Sequence, residues 1–553
     1  MRSVTYLVIF LFSFILSAQN EKYLVYFTDK NNSPYSIENP SAYLTERAIQ
    51  RRVHQNIPIE ISDLPPNPTF IQKIIETGAL VRHQSRWINA VSITISNHSA
   101  LEKIASLPFV KKVEKIKTIH KPLPDEYKIT FNGNFNAKSS IQLSNDVYDY
   151  GNSYAQIAQL GGVCLHNLGF DGKNMLICVL DAGFENADTL TCFDSLHIKN
   201  QILGTWDFVD NETAVYEDNG HGSMVLSCMG ANWPSQLVGA APQANYWLLR
   251  TENAGSELII EEDNWAAGAE FADSVGADVI NSSLGYTTFD STNQNHSYSD
   301  LDGNTAIATI AADLAASKGI LVCNSAGNEG ASSWNYISVP ADADSILTVG
   351  AVDANGIRAG FSGVGPTADG RTKPDVAANG NGTYVIAPWN GTVTQSGGTS
   401  FSSPLTAGMA ACLWQANPGK TNMEIISAIK AAGNQATNPD TLLGWGIPNY
   451  CVANGNLHGT GIISTKFQDE LLHVFYDPST ESIGIYFYSA EEHEIEFSLT
   501  DLSGKTLMTE KRETGNNSIH FYRLSNVSSI ASGIYLVSAR GNESIQSRKI
   551  MKP

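Results

Sequence analysis

Six consecutive apolar residues, Met175-Leu176-Ile177-Cys178-Val179-Leu180, run straight into Asp181. A strand with one face in water alternates apolar and polar residues, whereas a strand covered on both faces does not have to. The run therefore predicts a strand buried on both sides. Similar runs recur at Ala277-Asp278-Val279-Ile280-Asn281, at Gly319-Ile320-Leu321-Val322-Cys323 and at Ile346-Leu347-Thr348-Val349, among stretches with helical spacing. That alternation predicts a doubly wound α/β domain around a parallel sheet. Functional groups in such sheets gather beyond the carboxyl ends of the strands, where Asp181, Ser283 and Asn328 fall.

The remaining sequence divides around this domain. Met1-Arg2-Ser3 carries a positive charge, residues 4–16 are apolar and Ser17-Ala18 follows, so residues 1–18 read as a signal peptide for export. No other run is long enough to suggest a membrane span. Residues 19–120 read as a small α+β unit, with strands at 23–27, 91–95 and 110–116 and helices at 41–53, 70–76 and 100–106. Its place ahead of the main domain suggests a propeptide; a permanently attached accessory domain is the alternative. Residues 121–150 are rich in Asn, Asp and Ser and read as a linker. The α/β domain occupies 151–456, and 466–553 returns to short alternating strands with a hairpin turn at 499–505, which predicts a β-sandwich. The net charge of -20 repels phosphate backbones and argues against nucleic acid as a partner. Seven cysteines without a C-x-x-C pair do not indicate zinc. Cys178, Cys323 and Cys412 read as core residues, and Cys164 with Cys192 is one pairing open to a disulfide.

The stretch Gly398-Thr399-Ser400-Phe401-Ser402-Ser403-Pro404 carries the chemistry. Leu405, Met409, Cys412 and Leu413 follow at helical spacing, so Ser400 falls at a helix N-terminus, where unpaired N–H groups stabilise developing negative charge. A serine hydroxyl is a weak nucleophile until a base takes its proton, and histidine serves best when a carboxylate fixes its tautomer. His221 lies between Gly220 and Gly222 at the start of a helical stretch, Asp181 ends the buried run, and Asn328 follows another. Taken singly, these are a turn-capping Asp, a surface His and a loop Asn.

Together, Val179-Leu180-Asp181, His221-Gly222-Ser223, Ser325-Ala326-Gly327-Asn328 and Gly398-Thr399-Ser400 resemble the four catalytic motifs of the subtilisin-like serine peptidases, in that family's order of Asp, His, Ser. The likeness extends to Gly239-Ala240-Ala241-Pro242, Asn281-Ser282-Ser283-Leu284-Gly285 and Lys373-Pro374-Asp375-Val376. It departs at Ser223, Met224 and Phe401, where the family commonly has Thr, His and Met. The resemblance implies a secreted serine endopeptidase of protein or peptide substrates. Its catalytic residues would be Asp181, His221 and Ser400, with Asn328 and the Ser400 N–H holding the oxyanion. Ser283, Leu284 and Gly285 would pair with extended substrate and, with Ala326 and Gly327, wall the pocket for the residue before the cut. No cofactor is required for that chemistry; structural calcium is common in the family, but no calcium-loop spacing stands out.

By the same comparison, residues 19–120, through the 82–90 stretch, resemble inhibitory propeptides, making the chain its own intramolecular inhibitor. Asp501-Leu502-Ser503-Gly504 and Ser532-Gly533-Ile534-Tyr535-Leu536 resemble the C-terminal sorting domain of the type IX secretion system. That implies the type IX machinery as a partner and a secreted or cell-surface protein of the Bacteroidetes group. The rival α/β-hydrolase reading needs the order Ser, acid, His and a Gly where this chain has Ser402. A surface binding module keeping the peptidase fold without turnover is the second alternative.

Overall fold

The computed structural model describes residues 21–116 except 97, 146–457, and 470–552 apart from 478–480, 490, 491, 515–517, 525, 526, 528 and 542–544. The expected signal peptide and most of the expected linker lie outside the described residues. Two compact units result, Met1–Ser36 with Ile61–Ile119, and Ile37–Glu60 with His120–Pro553.

The smaller unit begins with β1 (Glu21–Phe27). The chain then departs through an arm, residues 37–60, which carries helix α1 (Glu46–His54), and returns with α2 (Pro68–Ile75), β2 (Leu80–Ser85), β3 (Ala90–Ile95), α3 (His98–Ala105) and β4 (Val110–Ile116). The strands form an antiparallel sheet in the order β2-β3-β1-β4. Tyr23, Val25 and Phe27 alternate on β1 and bury against Ile71, Ile74 and Ile104 of the two helices. The sequence reading misses β2, whose register against β3 slips between Val81 and Gln84 and breaks the alternation that marks a strand. It also assigns residues 41–53 to this unit. A helix does form there, capped by Thr45, whose side chain accepts from the Ala48 N–H, but it belongs to the larger unit.

In the larger unit, α4 (Tyr154–Gln159) and α5 (Gly162–Asn167) lead into β5 (Leu176–Asp181), and α6 (Asp194–Ile198) into β6 (Ile202–Asp207). Then come α7 (His221–Gly230), the small hairpin β7 (Asn232–Trp233) and β8 (Leu237–Val238), β9 (Asn245–Arg250), α8 (Ile260–Val275), β10 (Val279–Ser282), α9 (Ile307–Ser317), β11 (Leu321–Ser325), β12 (Leu347–Val352) and β13 (Val376–Asn379). The hairpin β14 (Asn381–Ala387) and β15 (Thr392–Gly397) precedes α10 (Thr399–Ala416), α11 (Asn422–Ala431) and α12 (Tyr450–Leu457). A seven-stranded sheet runs β13-β12-β11-β10-β5-β9-β6, every pair parallel. Every residue of β5 is buried, as its unbroken apolar run predicts. Ser282 pairs with Leu180 and with Asn324. That register carries Asp181, Ser283 and Ser325 to one end of neighbouring strands.

Helix α10 is buried almost throughout and has no polar stripe, so it is enclosed by the fold rather than lying on it. A disulfide joins Cys164 of α5 to Cys451 of α12, with Cα atoms 5.9 Å apart. The Cys164–Cys192 pairing considered from sequence does not form: Cys192 is a buried free thiol, as are Cys178, Cys228, Cys323 and Cys412.

The C-terminal strands are β16 (Glu470–Asp477), β17 (Ser482–Ser489), β18 (Glu494–Asp501), β19 (Thr506–Glu513), β20 (Ser518–Leu524), β21 (Gly533–Arg540) and β22 (Ile545–Lys552). They form a three-stranded sheet, β16-β17-β20, and a four-stranded sheet, β19-β18-β21-β22. Ile485 and Phe487 of one share a core with Phe497 and Val537 of the other. The predicted hairpin turn closes through the Gly504 N–H on the Asp501 carbonyl.

The disulfide closes a span of 287 residues in sequence. Breaking it with Cys164→Ser and Cys451→Ser is expected to cost about 2–5 kcal/mol of stability, read as a lowered midpoint in denaturant unfolding followed by circular dichroism.

Candidate active site

Asp181 ends β5 with a fully buried side chain. Its Oδ1 accepts from the Ala182 N–H at 2.8 Å and pairs with His221 Nδ1 at 2.7 Å. His221 opens α7, its N–H held by Asn219 Oδ1 at 2.8 Å, and its ring keeps 23% of its surface exposed. The buried carboxylate thus meets an imidazole that faces solvent on its other side. Their approach depends on two glycines. The Gly222 N–H donates to the Gly183 carbonyl at 2.9 Å, and a Cβ on Gly222 would lie 2.3 Å from that carbonyl oxygen. Gly183 itself has φ +144°, and a Cβ there would lie 2.6 Å from the Asn219 nitrogen.

Ser400 is the second residue of α10. The Ser283 hydroxyl donates to the Ser400 carbonyl at 2.9 Å, Asn281 Nδ2 donates to Ser283 Oγ at 3.2 Å, and Ser403 Oγ donates to Asn281 Oδ1 at 2.9 Å. All four residues are buried. Satisfied polar chains of this kind hold their members in one geometry, and this one ties the start of α10 to the end of β10. The Ser400 hydroxyl donates to the Ser283 carbonyl over a long 3.3 Å. No hydrogen bond joins it to His221 among the described residues. The His221 ring lies 6.0 Å, centroid to centroid, from that of Phe401, the neighbour of Ser400.

Asn328 is exposed beyond β11. Its Oδ1 accepts from both the N–H and the hydroxyl of Thr399, at 2.9 and 3.0 Å, which reserves Nδ2 as a donor. Thr399 Oγ1 also accepts from the Gly327 N–H at 3.2 Å. Ser283 and Leu284 are buried and Gly285 is exposed, beyond β10; Ala326 and Gly327 occupy the matching place beyond β11. Between the two segments sits Ser338, 1% exposed, whose Oγ would lie 2.1 Å from a Cβ on Gly285 and 2.7 Å from one on Gly327. Glu329 Oε2 would lie 2.6 Å from that same Gly327 Cβ. Neither oxygen has a hydrogen-bond partner among the described residues.

Comparison with known proteins turns this geometry into a family assignment. The subtilase family profile matches residues 172–446. Subtilisin NAT of Bacillus subtilis subsp. natto is 30% identical over 370 residues, which is 66% of this chain and 81% of that protein. The chain belongs to the subtilase family. A subtilisin of Bacillus pumilus is 33% identical over 280 residues, 50% of this chain and 89% of that one. A crystal structure of MycP1 with the N-terminal propeptide removed overlays at a TM-score of 0.44 and 21% identity, over 54% of this chain and 96% of that one. The profile "Peptidase S8 propeptide domain, Bacteroidota" matches 22–129, and "Secretion system C-terminal sorting domain" matches 473–553. This subtilase is therefore a serine peptidase with an N-terminal propeptide domain and a tail that implies type IX secretion, and none of its described helices is long and apolar enough to cross a membrane.

The subtilase's sequence gives Thr399 and Ser403 only as members of the stretch around Ser400, without the distant amides of Asn328 and Asn281 that their hydroxyls meet, and does not mark Ser338. Nor did it mark Glu252, which follows β9 and acts electrostatically on both Asp181 and His221. Burial, then the charge of Asp181, pushes the Glu252 carboxyl up to about 7, against a downward pull from His221. Burial likewise pushes Glu257 up to about 9, helped by Glu252, Asp290 and Glu329. Burial would lower His221, but the charge and hydrogen bond of Asp181, with a smaller push from Glu252, win and raise it. Among the described residues no group of three or more His, Cys, Asp or Glu side chains gathers to hold a metal. Because the Glu252 charge favours imidazolium, Glu252→Gln is expected to move the His221 titration to lower pH; following the ring protons by NMR checks this, and an unmoved or higher midpoint contradicts it.

Proposed function

We propose that this subtilase is a secreted endopeptidase that cuts peptide bonds through an acyl-enzyme on Ser400. The observation that carries the reading is the 2.7 Å contact of His221 Nδ1 with a fully buried Asp181, set beside the helix that starts with Thr399 and Ser400. A carboxylate on Nδ1 fixes the tautomer that leaves Nε2 free to accept a proton. Ser400 Oγ turns from the Ser283 carbonyl toward His221 Nε2 and gives up its proton as it bonds to the scissile carbonyl carbon. The oxyanion so formed is held by the Ser400 N–H at the helix start and by Asn328 Nδ2. His221 then passes its proton to the leaving amine, the C–N bond breaks, and water releases the acyl group by the same steps in reverse order.

Ser283, Leu284 and Gly285 would pair with the extended substrate, and Ala326 with Gly327 would close the other side of the pocket. Backbone pairing of this kind tolerates many sequences. The propeptide domain would act as intramolecular inhibitor, and the sorting domain would hand the protein to the type IX machinery. The chemistry needs no cofactor; any calcium would be structural.

A serine-directed phosphonate is expected to label Ser400 in the processed protein, and Ser400→Ala to abolish both labelling and turnover. Absence of label on folded, processed protein would instead favour a binding module with this fold. Asn328→Ala is expected to lower kcat by about 10²–10³-fold without unfolding, a figure carried over from a subtilisin rather than deduced from this site. Thr399→Ala, which removes one of the two donors on Asn328 Oδ1, is expected to lower kcat by roughly five- to tenfold, as loss of one net hydrogen bond would.

A further inference from the structure

Arg250 ends β9 with its side chain only 6% exposed, and one of its nitrogens, Nη1, meets three carboxylates. It donates to Asp207 Oδ2, at the end of β6, at 2.6 Å and to Asp210 Oδ2, in the turn that follows, at 2.9 Å. The third is Asp218, in the segment leading into α7, whose Oδ2 lies 3.1 Å away. Arg250 Nε has no partner among the described residues. The fully buried Asp207 is fixed in turn, since its Oδ1 accepts from the N–H groups of Val209 and Asp210 at 2.6 and 3.0 Å. Strand β9 also lies beside β5: Arg250 stands opposite Asp181 in register, and the Thr251 N–H donates to the Asp181 carbonyl at 3.0 Å. A guanidinium keeps its charge at any working pH, so one fixed cation beside the strand of Asp181 draws three separate segments together.

The pairing of β6 with β9 sets Asp207 beside Arg250, but no strand pairing among the described residues brings Asp218 there. Asp218 stands three residues before His221. Its neighbour Asn219 holds the His221 N–H at 2.8 Å, and the Asn219 carbonyl accepts from the Glu185 N–H at 3.0 Å. Close packing limits how near this segment can come to the end of β5: a Cβ on Gly183 would lie 2.6 Å from the Asn219 nitrogen and 3.1 Å from Asp218 Cβ. A hard contact resists compression, whereas separation is resisted only by attraction, and the ion pair of Arg250 with Asp218 supplies it from β9. We propose that Arg250 is a positioning residue for the base: through Asp218 it anchors the segment that opens α7 and keeps the His221 ring on Asp181, without itself meeting substrate.

The role rests on the reading of His221 as the base of a peptidase, and the two are tested apart. In full-length protein carrying Ser400→Ala, proton NMR follows the His221 Nδ1 proton, which a short bond to a carboxylate moves far downfield. That line is expected in the parent and in Asp210→Ala, whose carboxylate shares the guanidinium but is 61% exposed and does not lead to His221. Asp218→Ala is expected to broaden it or shift it upfield. In the processed active protein, on a fluorogenic peptide chosen from a library, Asp218→Ala is expected to lower kcat roughly three- to tenfold while KM changes less than about twofold. Asp210→Ala is expected to change both less than about twofold. All three carboxylates meet the one nitrogen, so Arg250→Lys is expected to keep most of kcat where Arg250→Met loses it. If Arg250→Met, which strands the buried Asp207, fails to fold, Asp218→Ala decides. A raised KM with kcat intact, an equal fall in Asp210→Ala, a downfield line missing from the parent or one unaltered in Asp218→Ala overturns the proposal. A parent without turnover or phosphonate label sinks the peptidase reading instead, and the NMR line still decides the anchoring role.

Discussion

A carboxylate with no surface in water needs compensation, and the site is arranged around that need at Asp181. Two groups supply it at Oδ1, the Ala182 N–H and the His221 ring. Bringing the ring there requires the loop after β5 and the start of α7 to approach to backbone contact, which side chains at Gly183 and Gly222 would forbid. The parallel register places Ser283 at the neighbouring strand end, and Ser283 in turn holds the Ser400 backbone. A single buried charge thus links the sheet, the histidine helix and the serine helix.

The same logic appears away from the site. Asp273 is as deeply buried as Asp181, and its compensation comes from Arg51 and Arg52, about 220 residues earlier in the chain. The two differ in what faces the charge. An imidazole can gain and lose a proton near neutral pH, whereas a guanidinium does not give its proton up in that range. Glu252 and Glu257 sit between these extremes, carboxyls pushed upward because burial and neighbouring charge oppose ionisation.

Much of this is legible in the sequence. The unbroken apolar run before Asp181 reads directly as a covered parallel strand, and β5 is buried along its whole length. Asp181 reads as a strand-end residue and His221 as a helix-start residue, and their side chains meet at 2.7 Å. The partners of the small hydroxyls are not legible: Thr399 and Ser403 stand in the stretch around Ser400 and Ser338 stands in a loop, but nothing local sets the Asn328 amide, the Asn281 amide or the gap between Gly285 and Gly327 beside them. Strand β2 escaped because its bulge against β3 breaks the alternation that periodicity relies on.

Sequence alone carried the buried parallel strands and the strand-end and helix-start places of Asp181, His221 and Ser400, because each is written in local period or in a short contiguous motif. Tertiary structure decided that Cys164 joins Cys451 rather than Cys192, that the Ser400 hydroxyl rests on the Ser283 carbonyl, and that α1 belongs with the catalytic sheet. The reason is distance along the chain. These pairings join residues separated by more than a hundred positions, and which partners meet depends on the register of the sheet and the path of helices around it, information that no local window contains.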